Sequence, residues 1–188
     1  MSWTSLKEIE AYCREHGCEF WQAILDGDVA ERGTTEEASR RKMNIAWEAM
    51  ISASEDYNPL NFSASGLVGD DGERMKQHAA SSNSIMDGFV GDVMTEALKM
   101  GECNACMKRI VAAPTAGACG VLPAILLPMS KRGADTEKIL NAMYVAAGIG
   151  QVIAERAYIA GASGGCQAEI GTAAAMAAGA MVYVVVEE

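Results

Sequence analysis

Basic residues are scarce in this sequence. Its 188 residues contain 15 Lys and Arg against 25 Asp and Glu, so the formal net charge is −10 at pH 7. A protein that binds nucleic acid needs a basic face to neutralise phosphates, and this charge balance therefore argues against nucleic acid as a partner. No basic amphipathic segment is present either, so the sequence does not predict a helix that lies on a membrane surface.

The sequence also lacks a secretory signal and the cysteine spacing of a disulfide-rich protein. Its first residues, MSWTSLKE, contain no basic region followed by an apolar one. The six cysteines are scattered without the pattern of a disulfide scaffold. We therefore expect reduced thiols and a cytoplasmic protein.

One uncharged stretch is long enough to need an interpretation. Residues 170–186 carry no charged side chain across 17 residues, which is the lower limit for a membrane span. Because much of this stretch is Ala and Gly, a transmembrane helix is the less favoured interpretation. We predict instead a helix that is buried on all sides within the protein.

The alternation of apolar and polar residues that is typical of β-strands is missing as well. Helical spacing and capping signals instead predict an all-α fold, in which three loops of small residues join helices. Residues 1–57 are interpreted as an N-terminal helical segment and residues 58–188 as the core. The predicted helices cover residues 5–16, 18–30, 34–56, 73–80, 84–106, 121–131, 135–160 and the stretch after residue 166.

The three small-residue loops are the candidate functional segments, and we call them loops A, B and C. Loop A (residues 61–72) is rich in hydroxyls and glycine, so it offers hydroxyl and backbone N–H groups to an anion, although an ordinary surface loop has the same composition. Loop B (residues 114–120) precedes a predicted helix. Loop C (residues 161–165) has three glycines in five residues, which lets the backbone turn sharply and lets a ligand approach it closely.

Cys166 follows loop C at the predicted start of an apolar helix. The positive end of a helix dipole favours a thiolate, and the thiolate is the form that attacks electrophiles and binds metals. Cys166 is therefore a candidate nucleophile or metal ligand. The alternative is a buried structural cysteine beside a tightly packed glycine loop.

Other candidate sites are weaker. Cys103 and Cys106 have C-x-x-C spacing and, with Cys13 and Cys18, offer a conceivable zinc site, but two incidental thiols at a helix end explain them as well. His78 follows loop A closely enough to act as a proton carrier, yet a solvated surface histidine is the simpler interpretation. Pyridoxal phosphate needs a Schiff-base lysine, and no lysine lies beside an apolar pocket signal.

Taken together, the three loops carry a recognisable set of motifs. They read SASGL at 63–67 with Gly69 and Asp71, APTAG at 113–117 with Gly120, and SGGCQAEIG at 163–171. This set resembles the α chain of bacterial iron–sulfur-dependent L-serine dehydratase. The resemblance implies deamination of L-serine to pyruvate and ammonia, with an oxygen-sensitive 4Fe–4S cluster and without pyridoxal phosphate. Asp70 stands where that family usually has Gly.

The resemblance also implies roles for individual residues. Cys166 would be one of three cluster ligands, and an iron with an open position would bind the substrate hydroxyl as a Lewis acid. No residue of this chain is assigned as the catalytic base. The residues implied in binding L-serine are Ser63, Ser65, Gly66, Asp71, Thr115, Gly164 and Gly165.

Two cluster ligands of the family lie in a Cys-Asp-Pro…Pro-Cys segment that would follow residue 188. We therefore expect an α chain that lacks its C-terminal part and that works with a β chain or with another copy of itself. The alternative is a catalytically inactive helical remnant that only binds a β-type partner.

Overall fold

The computed structural model describes residues 2–86 and 88–186, and these residues form helices and loops without a β-strand. The predicted all-α class is therefore confirmed for this part of the chain. The helices are α1 (Leu6–His16), α2 (Phe20–Arg32), α3 (Glu36–Glu55), α4 (Asp71–Ala79), α5 (Gly88–Ala105), α6 (Val121–Lys131), α7 (Thr136–Ala154), α8 (Gly161–Gly164) and α9 (Cys166–Val186), with a 3-10 turn at Ala116–Ala118.

Capping residues explain where several of these helices begin. The Ser5 hydroxyl accepts a hydrogen bond from the amide of Glu8 at 3.2 Å, as the predicted capping box requires. Helix α2 begins two residues later than predicted, because Glu19 and Gln22 form its capping box. The predicted start of α5 at Ser84 is wrong, since the helix begins at Gly88. Asp87, the second half of that predicted capping box, lies outside the described residues.

The chain divides into two compact units. Unit 1 contains α1, α2, the part of α3 up to Trp47, and α7 to α9, whereas unit 2 comprises Glu48–Gly133 with the rest of α3 and α4 to α6. The chain therefore passes from one unit to the other inside a helix. The division of the sequence at residue 57 concerns segments rather than compact units and stays a prediction.

Helix α7 is the centre of unit 1, where it packs against α2 and α9. Small residues allow this close packing: a Cβ on Gly150 would lie 2.8 Å from the Met176 sulfur. Helix α7 ends at Ala154, six residues before the predicted end near residue 160, because the chain closes a turn in which the amides of Arg156 and Ala157 bond to the Ile153 carbonyl.

Helix α9 differs from its prediction. Thr172, Met176 and Ala180 are buried, but Val182 and Val185 are each 57% exposed, so the expected burial on all sides is wrong. By length and composition this helix could cross a membrane, although core helices of soluble proteins pass the same test.

Helix α5 has the corresponding central position in unit 2, where it packs against α4 and α6. Ala53 of α3 and Met100 and Cys103 of α5 form a small buried cluster, and Tyr57 and Ile110 pack against it. One face of the last two turns of α5 therefore lies in the core of unit 2. Loop A and loop B, which belong to the same unit, run beside the end of this helix.

Candidate functional site

Loop A lies in unit 2 between α3 and α4 and is closed by its own hydrogen bonds. The amide of Ser63 donates to the Val68 carbonyl at 2.9 Å, and the amide of Gly66 donates to the Ser63 carbonyl at 2.8 Å. Gly66 has φ +70°, a conformation that glycine adopts without strain. The loop brings the predicted substrate residues Ser63 and Ser65 together, with their Oγ atoms 3.1 Å apart.

The end of loop A has an unusual backbone. Asp70 has φ +70°, in the left-handed region where a side chain other than Asn or Asp is strained. This geometry gives a physical reason for glycine at this position in the resembled family. Asp71 begins α4, and its side chain is 54% exposed and pairs with Arg74 at 3.5 Å. The predicted contact of Asp71 with substrate stays a prediction.

Loop B lies in the same unit and contains a cis peptide bond between Ala113 and Pro114. Thr115 then caps the 3-10 turn, and its carbonyl accepts a hydrogen bond from the Ala118 amide at 3.3 Å. Gly120 lies so close to α5 that a Cβ there would be 2.9 Å from the Ala97 carbonyl oxygen. Loop B is thus held tightly against α5.

Loop C lies in unit 1, and most of it forms the short helix α8 rather than an irregular loop. The amide of Gly164 donates to the Ala160 carbonyl at 2.8 Å, and that of Gly165 donates to the Gly161 carbonyl at 3.0 Å. These N–H groups are therefore engaged within the protein. A Cβ on Gly164 would lie 2.6 Å from the Tyr158 carbonyl oxygen, which shows why this position requires glycine.

Cys166 begins helix α9 directly after Gly165, which has φ +82°. Its side chain is exposed, whereas the other five cysteines are buried or partly buried. The predicted place at a helix N-terminus is confirmed, and the alternative of a buried structural cysteine is wrong for Cys166.

Comparison with known proteins adds a family to this geometry. The sequence model of the family described as "Serine dehydratase alpha chain" matches residues 15–187. The chain belongs to this family. Its resemblance to the family, first seen in the loop motifs, is confirmed over nearly the whole sequence. No solved structure matches the chain.

Similar proteins from several bacteria carry related names. The L-serine dehydratase, alpha chain, of Peptoniphilus asaccharolyticus is 37% identical over 94% of this chain and 61% of its own length. The probable L-serine dehydratase, alpha chain, of Bacillus subtilis (strain 168) is 38% identical over 64% of this chain and 40% of its own length. L-serine dehydratase 2 of Escherichia coli (strain K12) is 30% identical over 94% of this chain and 40% of its own length. This member of the family therefore spans 61% or less of these relatives.

The remaining cysteines of this serine dehydratase α-type chain have structural partners. The thiols of Cys103, Cys106 and Cys119 lie 3.6 to 3.7 Å from backbone carbonyl oxygens of their own unit. Burial is the main cause that raises the pKa of the Cys103 thiol, and the neighbouring Cys106 is the second. Burial also raises the pKa of Cys119. Within residues 2–86 and 88–186, no three His, Cys, Asp or Glu side chains form a group that could hold a metal ion. The conceivable zinc site is therefore not formed in the described chain.

Two residues that sequence reasoning missed lie at the end of α5. Glu102 is 4% exposed, and its carboxylate accepts hydrogen bonds from loop A. Asn104 donates from its side-chain amide to the Ala116 carbonyl of loop B at 3.0 Å. A glutamate in a helix is usually exposed, so residue type alone does not reveal either contact. The apolar residues Met100 and Cys103, which are buried, were the available sequence signal that this part of α5 faces the core.

A cavity of about 360 Å³ lies elsewhere, inside unit 1 between α2, α3 and α7. The Ser39 hydroxyl, which is buried, donates to Asp28 Oδ2 at 2.6 Å and lies 2.8 Å from the Tyr144 hydroxyl. Because the Ser39 proton is used on Asp28, Tyr144 is the donor to Ser39. None of the predicted site residues lines this cavity. His78 is exposed, as its simpler interpretation as a solvated surface histidine predicts.

Proposed function

We propose that this chain is the α-type part of an enzyme that converts L-serine to pyruvate and ammonia. The observation that carries the proposal is the family match over residues 15–187, together with 37% identity to a relative named L-serine dehydratase, alpha chain. The motifs of loops A, B and C support it, because they hold the residues that the family resemblance implies.

The reaction needs three chemical events. A base removes the Cα proton of serine while hydroxide leaves Cβ, which releases water and an enamine. The enamine tautomerises to an imine, and one water hydrolyses the imine to pyruvate and ammonia. The water released and the water consumed balance, so the net products are pyruvate and ammonia.

Loop A has donors suited to a carboxylate. Ser63 Oγ accepts a hydrogen bond from the Val68 amide at 3.2 Å, and Ser65 Oγ accepts one from the Leu67 amide at 3.4 Å. The two hydroxyls have one proton each, and one of these protons forms the hydrogen bond between the two Oγ atoms at 3.1 Å. The second proton is left for a substrate oxygen. We assign the Ser63 and Ser65 hydroxyls to the carboxylate of L-serine. The Gly66 amide is bonded to the Ser63 carbonyl, so the proposed contribution of Gly66 is a backbone without a side chain, which lets substrate approach closely.

We assign Thr115 of loop B to L-serine on the same family resemblance. It stands in the extended conformation before the 3-10 turn, so it marks the point where the loop changes direction. The loop C residues Gly164 and Gly165 have their amides engaged, so their proposed contribution is a backbone that lacks side chains and lets substrate approach closely.

Cys166 fits the position of one ligand of a 4Fe–4S cluster. Its thiol is exposed at the start of a 21-residue helix, and no heavy atom lies within 4 Å of where a side chain on Gly165 would be. The described residues offer no group of three ligands, so the proposal takes the other ligands from outside this sequence. When bound, a cluster with an open iron position would supply Lewis-acid assistance to the departing hydroxyl.

Partners and compartment follow from the same proposal. The relatives' name, alpha chain, implies a second kind of chain, and we propose that a β chain or a second copy of this chain completes the enzyme. All six cysteines are free in the structure, which supports the predicted cytoplasmic location.

The test is anaerobic reconstitution with iron and sulfide, followed by iron counting and a serine-to-pyruvate assay. It compares this chain alone, which should hold no stable cluster, with a complex in which the chain is joined to the predicted Cys-Asp-Pro…Pro-Cys segment and supplied with a β-type partner. We expect pyruvate and about four irons per complex in the wild type. The Cys166→Ser variant should lose both, while Cys13→Ser, on α1, should keep both. Full iron in Cys166→Ser would contradict the ligand assignment. An iron-loaded complex that forms no pyruvate would contradict the proposed reaction and favour the inactive, partner-binding alternative.

A further inference from the structure

Glu102 is a buried carboxylate whose hydrogen-bond partners belong to the segment around loop A. Its Oε1 accepts from the Asp71 amide at 2.5 Å and from the Gly72 amide at 3.1 Å, and its Oε2 accepts from the Tyr57 hydroxyl at 2.5 Å. Glu102 is only 4% exposed, so water cannot replace these donors. A buried carboxylate is stabilised only when such donors saturate it.

Helix α4 depends on this carboxylate for its N-terminal cap. A helix N-terminus normally receives an acceptor from its own N-cap residue, but the side chain of Asp70 makes no such bond. The acceptor instead comes from α5, 31 residues along the chain. The contact therefore fixes where loop A ends in space, which a local cap would not do.

The backbone packs closely around this contact. A Cβ on Gly72 would lie 2.9 Å from Lys99 Cγ and 3.1 Å from the Tyr57 hydroxyl. Burial and the hydrogen bond to Glu102 raise the pKa of Tyr57, so its hydroxyl stays protonated and keeps donating.

The same part of α5 also holds the start of loop A and one side of loop B. The Cys106 thiol lies 3.6 Å from the Asn61 carbonyl, and the Asn104 amide donates to the Ala116 carbonyl at 3.0 Å. Three side chains within five residues, two of them on α5 and the third, Cys106, just after its end, thus contact both loops. Glu102 is the one among them whose loss would leave buried donors without an acceptor.

We propose that Glu102 is a positioning residue, which fixes loop A so that Ser63 and Ser65 are presented to the substrate carboxylate. This inference rests on the proposed function for its link to serine. The positioning itself rests on the hydrogen bonds of Glu102 and can be measured without any activity.

The variants are chosen to separate geometry from charge. Glu102→Gln keeps an oxygen for the two backbone amides of loop A without the charge. Its NH₂ group can donate to the Tyr57 oxygen, in place of the bond that Tyr57 now donates to Glu102. Glu102→Asp keeps the charge but is shorter by one methylene and cannot reach the same donors. Glu96→Gln is the matched control, because Glu96 is equally buried on α5 but bonds to Ser54, Lys99 and Lys131 instead of loop A.

Two measurements on the full chain and its reconstituted complex test the proposal. Amide hydrogen exchange of residues 61–72 should speed up at least about tenfold in Glu102→Asp and stay within about threefold of wild type in Glu102→Gln and Glu96→Gln. In the complex, KM for L-serine should rise about tenfold in Glu102→Asp, with iron content unchanged and a smaller change in kcat.

Unchanged exchange of loop A in Glu102→Asp would overturn the positioning role. Equally fast exchange of loop A in Glu102→Gln would overturn the claim that hydrogen-bond geometry positions the loop, since the charge of Glu102 would then hold it. A faster-exchanging loop A in a protein that does not use serine would uphold the positioning and contradict the proposed function alone.

Discussion

Asn104 lies two residues after the buried Glu102, and its side-chain amide donates a hydrogen bond to the Ala116 carbonyl at 3.0 Å. This bond connects loop B to the same turn of α5 that holds the end of loop A. The two loops that carry Ser63, Ser65 and Thr115 therefore share one support. A substitution in this turn should affect both loops. We expect it to raise KM for the substrate more than it lowers kcat.

Replacement of Asn104 tests the support of loop B. Asn104→Ala removes one hydrogen bond whose carbonyl partner can turn to water, so we expect a loss of about 0.5–1.5 kcal/mol in the free energy of unfolding. Asn104→Asp should cost more, because a carboxylate lacks the donor and repels the Ala116 carbonyl. Urea denaturation measures both, and KM for L-serine should follow the same order. Asn83→Ala, at an exposed position, is the control; an Asp variant as stable as the Ala variant would contradict the contact.

Two glycines near Cys166 should respond in opposite ways to alanine. A Cβ on Gly164 would lie 2.6 Å from the Tyr158 carbonyl oxygen and 2.9 Å from Ala168 Cβ, so Gly164→Ala should cost about 1–3 kcal/mol of stability. Gly171 lies within α9, and apart from its chain neighbours and the backbone of its own helix no heavy atom lies within 4 Å of its would-be Cβ. Gly171→Ala should therefore stabilise the protein by about 0.5–1 kcal/mol. Thermal unfolding of both variants checks the pair, and a Gly164→Ala protein of wild-type stability would refute the close packing.

The contrast between Cys166 and Glu102 shows what the sequence could predict. Cys166 was predicted correctly to stand at the N-terminus of a helix, because glycines before it and apolar residues after it are local signals. Glu102 was missed because its burial depends on the docking of α4, which comes from a segment about 30 residues earlier. A charged residue in a helix has a strong prior for exposure, and only the three-dimensional arrangement overrides it.

The helices show the same difference between local and distant causes. The start of α1 was predicted because Ser5 and Glu8 act on each other across one turn. Helix α8 was missed because Gly161 and Gly164 have low helix propensity, and the turn forms from packing against Tyr158 and Glu169. The burial of α9 was overestimated, because an apolar composition does not specify which faces receive a partner.

The buried carboxylate of Glu96 should make stability depend on pH. Burial by itself raises the pKa of Glu96, but hydrogen bonds from Lys131 and Ser54 and the charges of Lys99 and Lys131 lower it overall below 4.5. A carboxyl group whose pKa is lower in the folded state stabilises the fold above its unfolded pKa, and this stabilisation is lost as the pH falls through the folded pKa.

Glu96→Ala should therefore cost about 3 kcal/mol at pH 7, at the low end for a buried pair because Lys131 is 61% exposed and can turn to water. The difference from wild type should shrink as the pH falls below 4.5. Urea denaturation measures this difference in the free energy of unfolding over about four pH units, from about pH 3 to about pH 7, around the carboxyl pKa. Glu73→Ala, which breaks the looser 3.8 Å pair with Lys76, should cost about 0–1 kcal/mol at every pH. A cost for Glu96→Ala that does not vary with pH would contradict the network.

The cysteines should react with a maleimide in an order set by their surroundings. Cys166 is exposed and should label first in the cluster-free chain, whereas Cys103 and Cys119 are buried, with thiol pKa values raised by burial, and should label only on unfolding. Burial and the neighbouring Cys18 raise the pKa of Cys13 to about 11, so its labelling should accelerate as the pH rises toward that value.

Mass spectrometry of samples quenched over time assigns each labelling rate to a residue. The fastest phase should disappear in Cys166→Ser and remain in Cys119→Ser, which is the matched control at a buried thiol. Reconstitution with iron and sulfide should slow the labelling of Cys166 alone, because a thiolate that binds iron is no longer a free nucleophile. Fast labelling that survives Cys166→Ser would refute the exposure of this thiol, and unchanged labelling in an iron-loaded complex would refute its role as a ligand.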